Sequence, residues 1–175
     1  MIKLPQQDES VTIKAVQLRS KSPLKSTNSI DVCGLNIWVH IAQVNALRQK
    51  KPNGYLQKNA TKRLAAIRKL AFDVIPQDPT RAEYRQSNTL GEENNHWFRA
   101  KFFQQYRLFF RYHAPSKILV LAGVNDADTK RASESDDDAY RVFKKMLSSG
   151  HPPNDFDQLL AAASRQRERL NSLDL

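Results

Sequence analysis

Between Trp97 and Val124 the chain reads WFRAKFFQQYRLFFRYHAPSKILVLAGV, and the alternation in this stretch leaves few folds open. Phe98, Ala100 and Phe102 alternate with Trp97, Arg99, Lys101 and Phe103. A period of two marks a strand with one buried face. After Gln104 and Gln105, a second run sets Tyr106, Leu108, Phe110 and Tyr112 against Arg107, Phe109, Arg111 and His113. Ala114-Pro115-Ser116 supplies a turn. Ile118 to Val124 is then apolar without a break, as in a central strand covered on both sides. The pattern predicts a three-stranded antiparallel meander.

Register decides what the sheet presents. An even-length hairpin loop would put Arg107 and Arg111 on the face of Phe98, Ala100 and Phe102, burying guanidinium groups in an apolar layer. A three-residue loop, Phe103 to Gln105, instead pairs Lys101 with Arg107 and Arg99 with Phe109. One slip inverts every side chain, so the pattern selects the odd loop. The sheet should then have an apolar back and a cationic front of Arg99, Lys101, Arg107 and Arg111. Exposed strands also carry cations simply as solvated edge protection. No acidic residue occurs from Trp97 to Val124, however. Like charges facing across strands repel, and a polyanion would relieve that cost.

The chain of 175 residues carries a formal net charge of +10, which points first to nucleic acid. An acidic membrane surface or an acidic protein are the other partners such a charge fits. No apolar run is long enough to span a membrane, and no signal peptide is expected. The lone cysteine, Cys33, excludes an intrachain disulfide and fits a small core residue in a reducing cytoplasm. Five glycines and no Gly-rich phosphate loop speak against a nucleotide-cofactor enzyme. His40, His96, His113 and His151 are scattered, with no His or Cys partner at metal-ligand spacing. No cofactor and no metal are expected.

Residues 1–29 are polar and basic and read as a mobile arm. Residues 30–175 read as a single domain. Ile30 to His40 is a first strand or a strand running into a helix, and Ile41 to Lys50 a short helix. Lys51-Pro52-Asn53-Gly54 is a turn. From Tyr55 to Ile75, Leu56, Ala60, Leu64, Ile67, Leu70, Ala71 and Val74 recur at helical spacing, with Lys58, Lys62, Arg63, Arg68 and Lys69 on the solvated face. The two helices form a hairpin over the apolar back of the sheet. Asp136 to Asp138 open a helix that runs to Leu147, with Tyr140, Phe143 and Leu147 on one face; Gly150 stops it. Asp155 caps a last helix to Leu170. The fold class is α+β: a small twisted antiparallel sheet, an N-terminal helical hairpin on one face, and C-terminal helices.

Metal-free RNA cleavage needs a base for the ribose 2′-hydroxyl, a cation on the phosphorane and an acid for the leaving 5′-oxygen. Lys101 is the candidate base, with Arg99 and Arg107 as cationic neighbours that disfavour a further charge. Arg107 suits the phosphate, because its planar fork matches two oxygens. Arg131, Lys130, His151 and Tyr140 are candidates for the acid. Arg111, Lys130, Asn125 and His151 are candidate RNA contacts. Trp97 either stacks on a base or packs at the sheet edge. A non-catalytic nucleic-acid-binding regulator, using the same cations to hold phosphates, is the competing reading.

Three segments carry a resemblance: RAKFFQQYRLFFRY, ILVLAGVNDADTKR and DDAYRVFKKMLSSGHPPNDF. With KNATKRLAAIRKL upstream and Leu90-Gly91, they resemble the YhaV-type toxins of the RelE superfamily over roughly residues 32 to 157. The resemblance implies a RelE-like fold and the toxin of a type II toxin–antitoxin system. It implies an endoribonuclease that cuts mRNA by 2′-hydroxyl attack, commonly on the ribosome, and halts translation in the cytoplasm. It also implies a PrlF-like antitoxin of the AbrB type and contact with operator DNA through the toxin–antitoxin complex. Arg99 and Lys101 fall where the superfamily places strand cations, and Arg107 where it places the phosphate-binding arginine. After the last strand this sequence has Asn125-Asp126 and Arg131, where well-known members carry a basic residue and often a later tyrosine.

Overall fold

A computed structural model describes residues 29–32, 35–125 and 137–171. Its elements are β1 (Ser29–Val32), α1 (Leu35–Lys50), α2 (Asn59–Lys69), β2 (Phe98–Phe102), β3 (Tyr106–His113), β4 (Ile118–Val124), α3 (Asp137–Ser148) and α4 (Phe156–Asn171). The sheet order is β1-β4-β3-β2, with β1 parallel to β4 and the other pairs antiparallel. The meander is therefore present as expected, and β1 adds a fourth strand at its far edge. Cys33 and most of the N-terminal arm lie outside the described residues.

The hairpin register is the one that the odd loop requires. Lys101 faces Arg107 and Arg99 faces Phe109. Ala100, Leu108 and Phe110 then join Leu119, Leu121 and Val124 in a first core. Ile67, Ala71 and Ile75 close that core from the helical side, at a spacing of four. The expected long helix is not one regular helix. Tyr55–Gln57 is a 3-10 turn, α2 follows, Leu70–Val74 widens into a π turn and Ile75–Gln77 tightens again. Pro76, which has no backbone N–H to donate, sits in that last turn.

The face expected to be an open cationic front is covered over its middle. Phe109, Val120 and Ala122 form a second core with Leu90, Trp97, Tyr140, Phe143, Leu159 and Ala163. The Phe109 and Phe143 rings stack with centroids 4.0 Å apart. This face holds apolar residues between its cations, and α3 and α4 each carry an apolar stripe that must be buried. A bulge between Phe109 and Phe110 moves the β4 partner from Gly123 to Leu121. It sharpens the twist at the point where the two cores meet.

Caps follow the expected residues. Asp155 accepts from the Gln158 backbone N–H at 3.0 Å, satisfying a free donor at the start of α4. At the end of α3, Gly150 takes φ 78°. The Gly150 N–H then donates to Leu147 and the His151 N–H to Met146, the arrangement that ends a helix on a left-handed residue.

Candidate active site

The hairpin tip is built by its own backbone. Phe103 and Gln104 both take positive φ, 45° and 61°. The Gln105 N–H returns to the Phe103 carbonyl at 2.7 Å. Arg107, on the first step of β3, folds its guanidinium under this turn. Its Nη1 donates to the carbonyls of Gln104 (2.7 Å) and Tyr106 (3.1 Å), and the residue is only 1% exposed. Asn125, just past β4, accepts from the Arg107 backbone N–H at 2.7 Å and donates to the Gln105 carbonyl at 3.0 Å. Two side chains thus fix four backbone groups of the tip.

Across the ladder from Arg107, Lys101 is exposed. Two residues back on the same face, the Arg99 Nε donates to the Tyr140 hydroxyl of α3, and its Nη1 donates to the Glu83 carbonyl at 3.1 Å. The register therefore gathers Arg99, Lys101 and Arg107 on one face towards the tip. Their settings differ: Arg99 is held by a neighbouring helix and loop, Lys101 is exposed, and Arg107 lies beneath the turn.

The other candidates separate. Arg111 stands four residues along β3 from Arg107, roughly 13 Å away at the usual rise. Its Nη1 donates to the Asn154 carbonyl, and its guanidinium lies over the rings of Trp97 and Phe156. Burial lowers the Arg111 pKa, opposed by the Asp155 carboxylate. Trp97 is wholly buried in the second core against Phe143, and its Nε1 donates to Asn154 Oδ1 at 2.9 Å. With the ring wholly buried, the base-stacking alternative for Trp97 is corrected: the ring packs in the core rather than on a base or at the sheet edge. Asn125 turns its amide into the hairpin rather than outward. His151 is exposed just past the end of α3, whereas Tyr140 lies near its start. About 15 Å of helix rise separates them. Lys130 and Arg131 lie outside the described residues. Among the described residues, no group of three or more His, Cys, Asp and Glu could hold a metal ion.

Three contributors were not evident from sequence. Arg63, expected on a solvated face, is 5% exposed. It donates to Gln43 Oε1 at 2.9 Å and to the Tyr106 hydroxyl at 3.2 Å, bracing the start of β3. Asn154 ties His96, Trp97 and Arg111 to the start of α4. Its position in the GHPPNDF motif was the available signal. Tyr140, expected on the apolar face of its helix and as an acid candidate, also accepts from Arg99.

Residues 34–164 match a family described as a toxin with endonuclease activity, of toxin-antitoxin system. The chain belongs to the YhaV toxin family. Toxin YhaV of Escherichia coli O6:H1 is 42% identical over 121 residues, covering 68% of this chain and 79% of the relative. Ribonuclease toxin YhaV of Escherichia coli K12 is 41% identical with the same coverage. No solved structure matches. The YhaV match spans all the candidate residues from Trp97 to His151, and it begins beyond the basic arm.

Proposed function

We propose that this YhaV family toxin is a metal-independent endoribonuclease that cuts mRNA in the cytoplasm, at the ribosome, and so halts translation. An AbrB-type antitoxin resembling PrlF neutralises it, and the pair contacts operator DNA. The sheet carrying a helical hairpin on one face supports placing the fold with the RelE superfamily. The observation that carries the reading is the register that sets Arg99, Lys101 and Arg107 on one face beside the tip. Lys101 takes the 2′-hydroxyl proton, and Arg99 meets the phosphorane oxygens. Arg107 acts through its buried charge and by holding the turn. The acid candidates are Arg131, Lys130, His151 and Tyr140; among the described residues, Tyr140 lies against the candidate cation Arg99. Arg111, Asn125 and His151 serve the RNA site through the elements that they order or end.

Induced expression followed by mapping of RNA ends tests this. Wild type should arrest growth and leave 2′,3′-cyclic phosphate ends. Lys101→Ala and Arg99→Ala should fold yet lose cutting by about 100-fold or more, the usual worth of a positioned proton-transfer or charge-stabilising group. If both variants arrest growth as wild type does, the residue assignment fails. RNA binding without any new ends would favour a regulator instead.

A further inference from the structure

The tip of the β2–β3 hairpin exposes Phe103, Gln104 and Gln105 together. Phe103 is 54% exposed although it is a large apolar residue. Its ring stands 5.7 Å from the half-buried Phe102, which stacks in turn on Tyr106. Phe103 also occupies left-handed backbone, φ 45°, and Gln104 beside it φ 61°. A bulky side chain in that region is uncommon, and glycine or asparagine would fit there at less cost. Folding therefore gains little from a phenylalanine at this position.

The backbone beneath is fixed. Arg107 holds the Gln104 carbonyl, and Asn125 holds the Gln105 carbonyl. The outward side chains are an aromatic face and two amides. These are the groups by which proteins recognise unpaired bases, through stacking and through hydrogen bonds to base edges. Lys101 flanks them, and no carboxylate lies in sequence between Trp97 and Val124. A ring in such surroundings suits single-stranded nucleic acid better than an apolar protein surface.

We propose that Phe103 stacks on a base of the single-stranded RNA substrate next to the scissile phosphate, and that Gln104 and Gln105 read base edges there. This rests on the reading that the cut occurs at the Lys101 end of the sheet. The tip is then a specificity element, separate from the groups that move protons.

The test compares wild type, Phe103→Gly, Phe103→Trp, Gln104→Ala and Lys101→Ala. Binding is measured by fluorescence anisotropy on a 2′-O-methyl oligonucleotide, which 2′-hydroxyl attack cannot cut. RNA ends are mapped after induction. Phe103→Gly should bind roughly ten-fold more weakly, within the range for loss of one stacked base. Its base preference around the cut should broaden. Its thermal midpoint should not fall, because glycine relieves the left-handed strain. Phe103→Trp should restore binding and preference, and Gln104→Ala should change the preference alone.

Unchanged binding and an unchanged map in Phe103→Gly overturn the proposal. So does a lowered midpoint with both readouts intact, which makes the ring a packing element. So does normal cutting combined with escape from the antitoxin, which makes it a protein contact. Loss of cutting in Lys101→Ala beside an unchanged Phe103→Gly discards stacking and keeps the active site. Full cutting by Lys101→Ala beside a shifted Phe103→Gly map discards that base and keeps stacking.

Discussion

Asn125 and Arg107 order the hairpin tip through its backbone. Removing the Asn125 amide leaves the Arg107 N–H and the Gln105 carbonyl without their partner at the tip. Asn125→Ala should lower stability by about 1–2 kcal/mol, the usual cost of such a loss, and should also slow RNA cutting. Asn125→Asp can still accept from Arg107 but cannot donate to Gln105, so it should fall between the two. Urea titration and end mapping together check this; full cutting by Asn125→Ala would remove its positioning role. Tyr140→Phe tests the contact to Arg99 in the same way. It should cost about 1 kcal/mol or somewhat more, since the lost bond involves a charged donor. At this scale the sequence was a partial guide. Arg99, Lys101 and Arg107 stood out by charge and alternation. What each guanidinium would bind was not legible, because those partners, the Gln104 carbonyl and the Tyr140 hydroxyl, are set by folding of the turn and docking of α3.

Elements were easier to read when a local pattern fixed them. The β2–β3 register followed from alternation and loop length, and it holds residue by residue from Phe98 to Phe102. β1 was harder to place, since a short strand acquires its partner only when β4 is in position. The stretch from Tyr55 to Ile75 kept its apolar spacing but not its regularity, because Ile75 must stay in the core while Pro76 ends the hydrogen-bond ladder. The largest difference is the second core. The α3 stripe was visible, but its destination, the face bearing Phe109, was not. That pairing makes a firm prediction. Phe143→Ala removes the ring stacked on Phe109 and facing Trp97, so it should destabilise by about 3–5 kcal/mol. Loss of near-ultraviolet circular dichroism at moderate urea would report it. A change under 1 kcal/mol would mean that α3 is not seated as described.

Viewed as a whole, the molecule is a sheet with an apolar core on each side and its cations displaced to the ends of the strands. One end holds the tip with Lys101 and Arg107; the other holds Arg111 in the Asn154 cluster. That cluster predicts a pH dependence of stability. His96 Nε2 and Asn154 Oδ1 are 2.6 Å apart. Burial lowers the His96 pKa below the ordinary histidine value; the hydrogen bond to Asn154 opposes this, and the Arg111 charge reinforces it. The folded state thus prefers the neutral ring. Its contribution to stability is complete above the unfolded histidine value of about 6.5. As pH falls below that value, the unfolded chain takes up a proton that the native ring still resists, and stability declines until the folded pKa is passed. The ring is partly exposed, so solvent screens the effect and the slope should be shallow. The urea midpoint should fall from pH 7.5 to pH 5, and less so in His96→Gln, which has no titrating ring. Only the difference between the two proteins isolates His96, since carboxylates begin to titrate in the same range. Equal declines would show that protonating His96 costs the fold nothing, and that Arg111 and Asn154 already accommodate the charged ring.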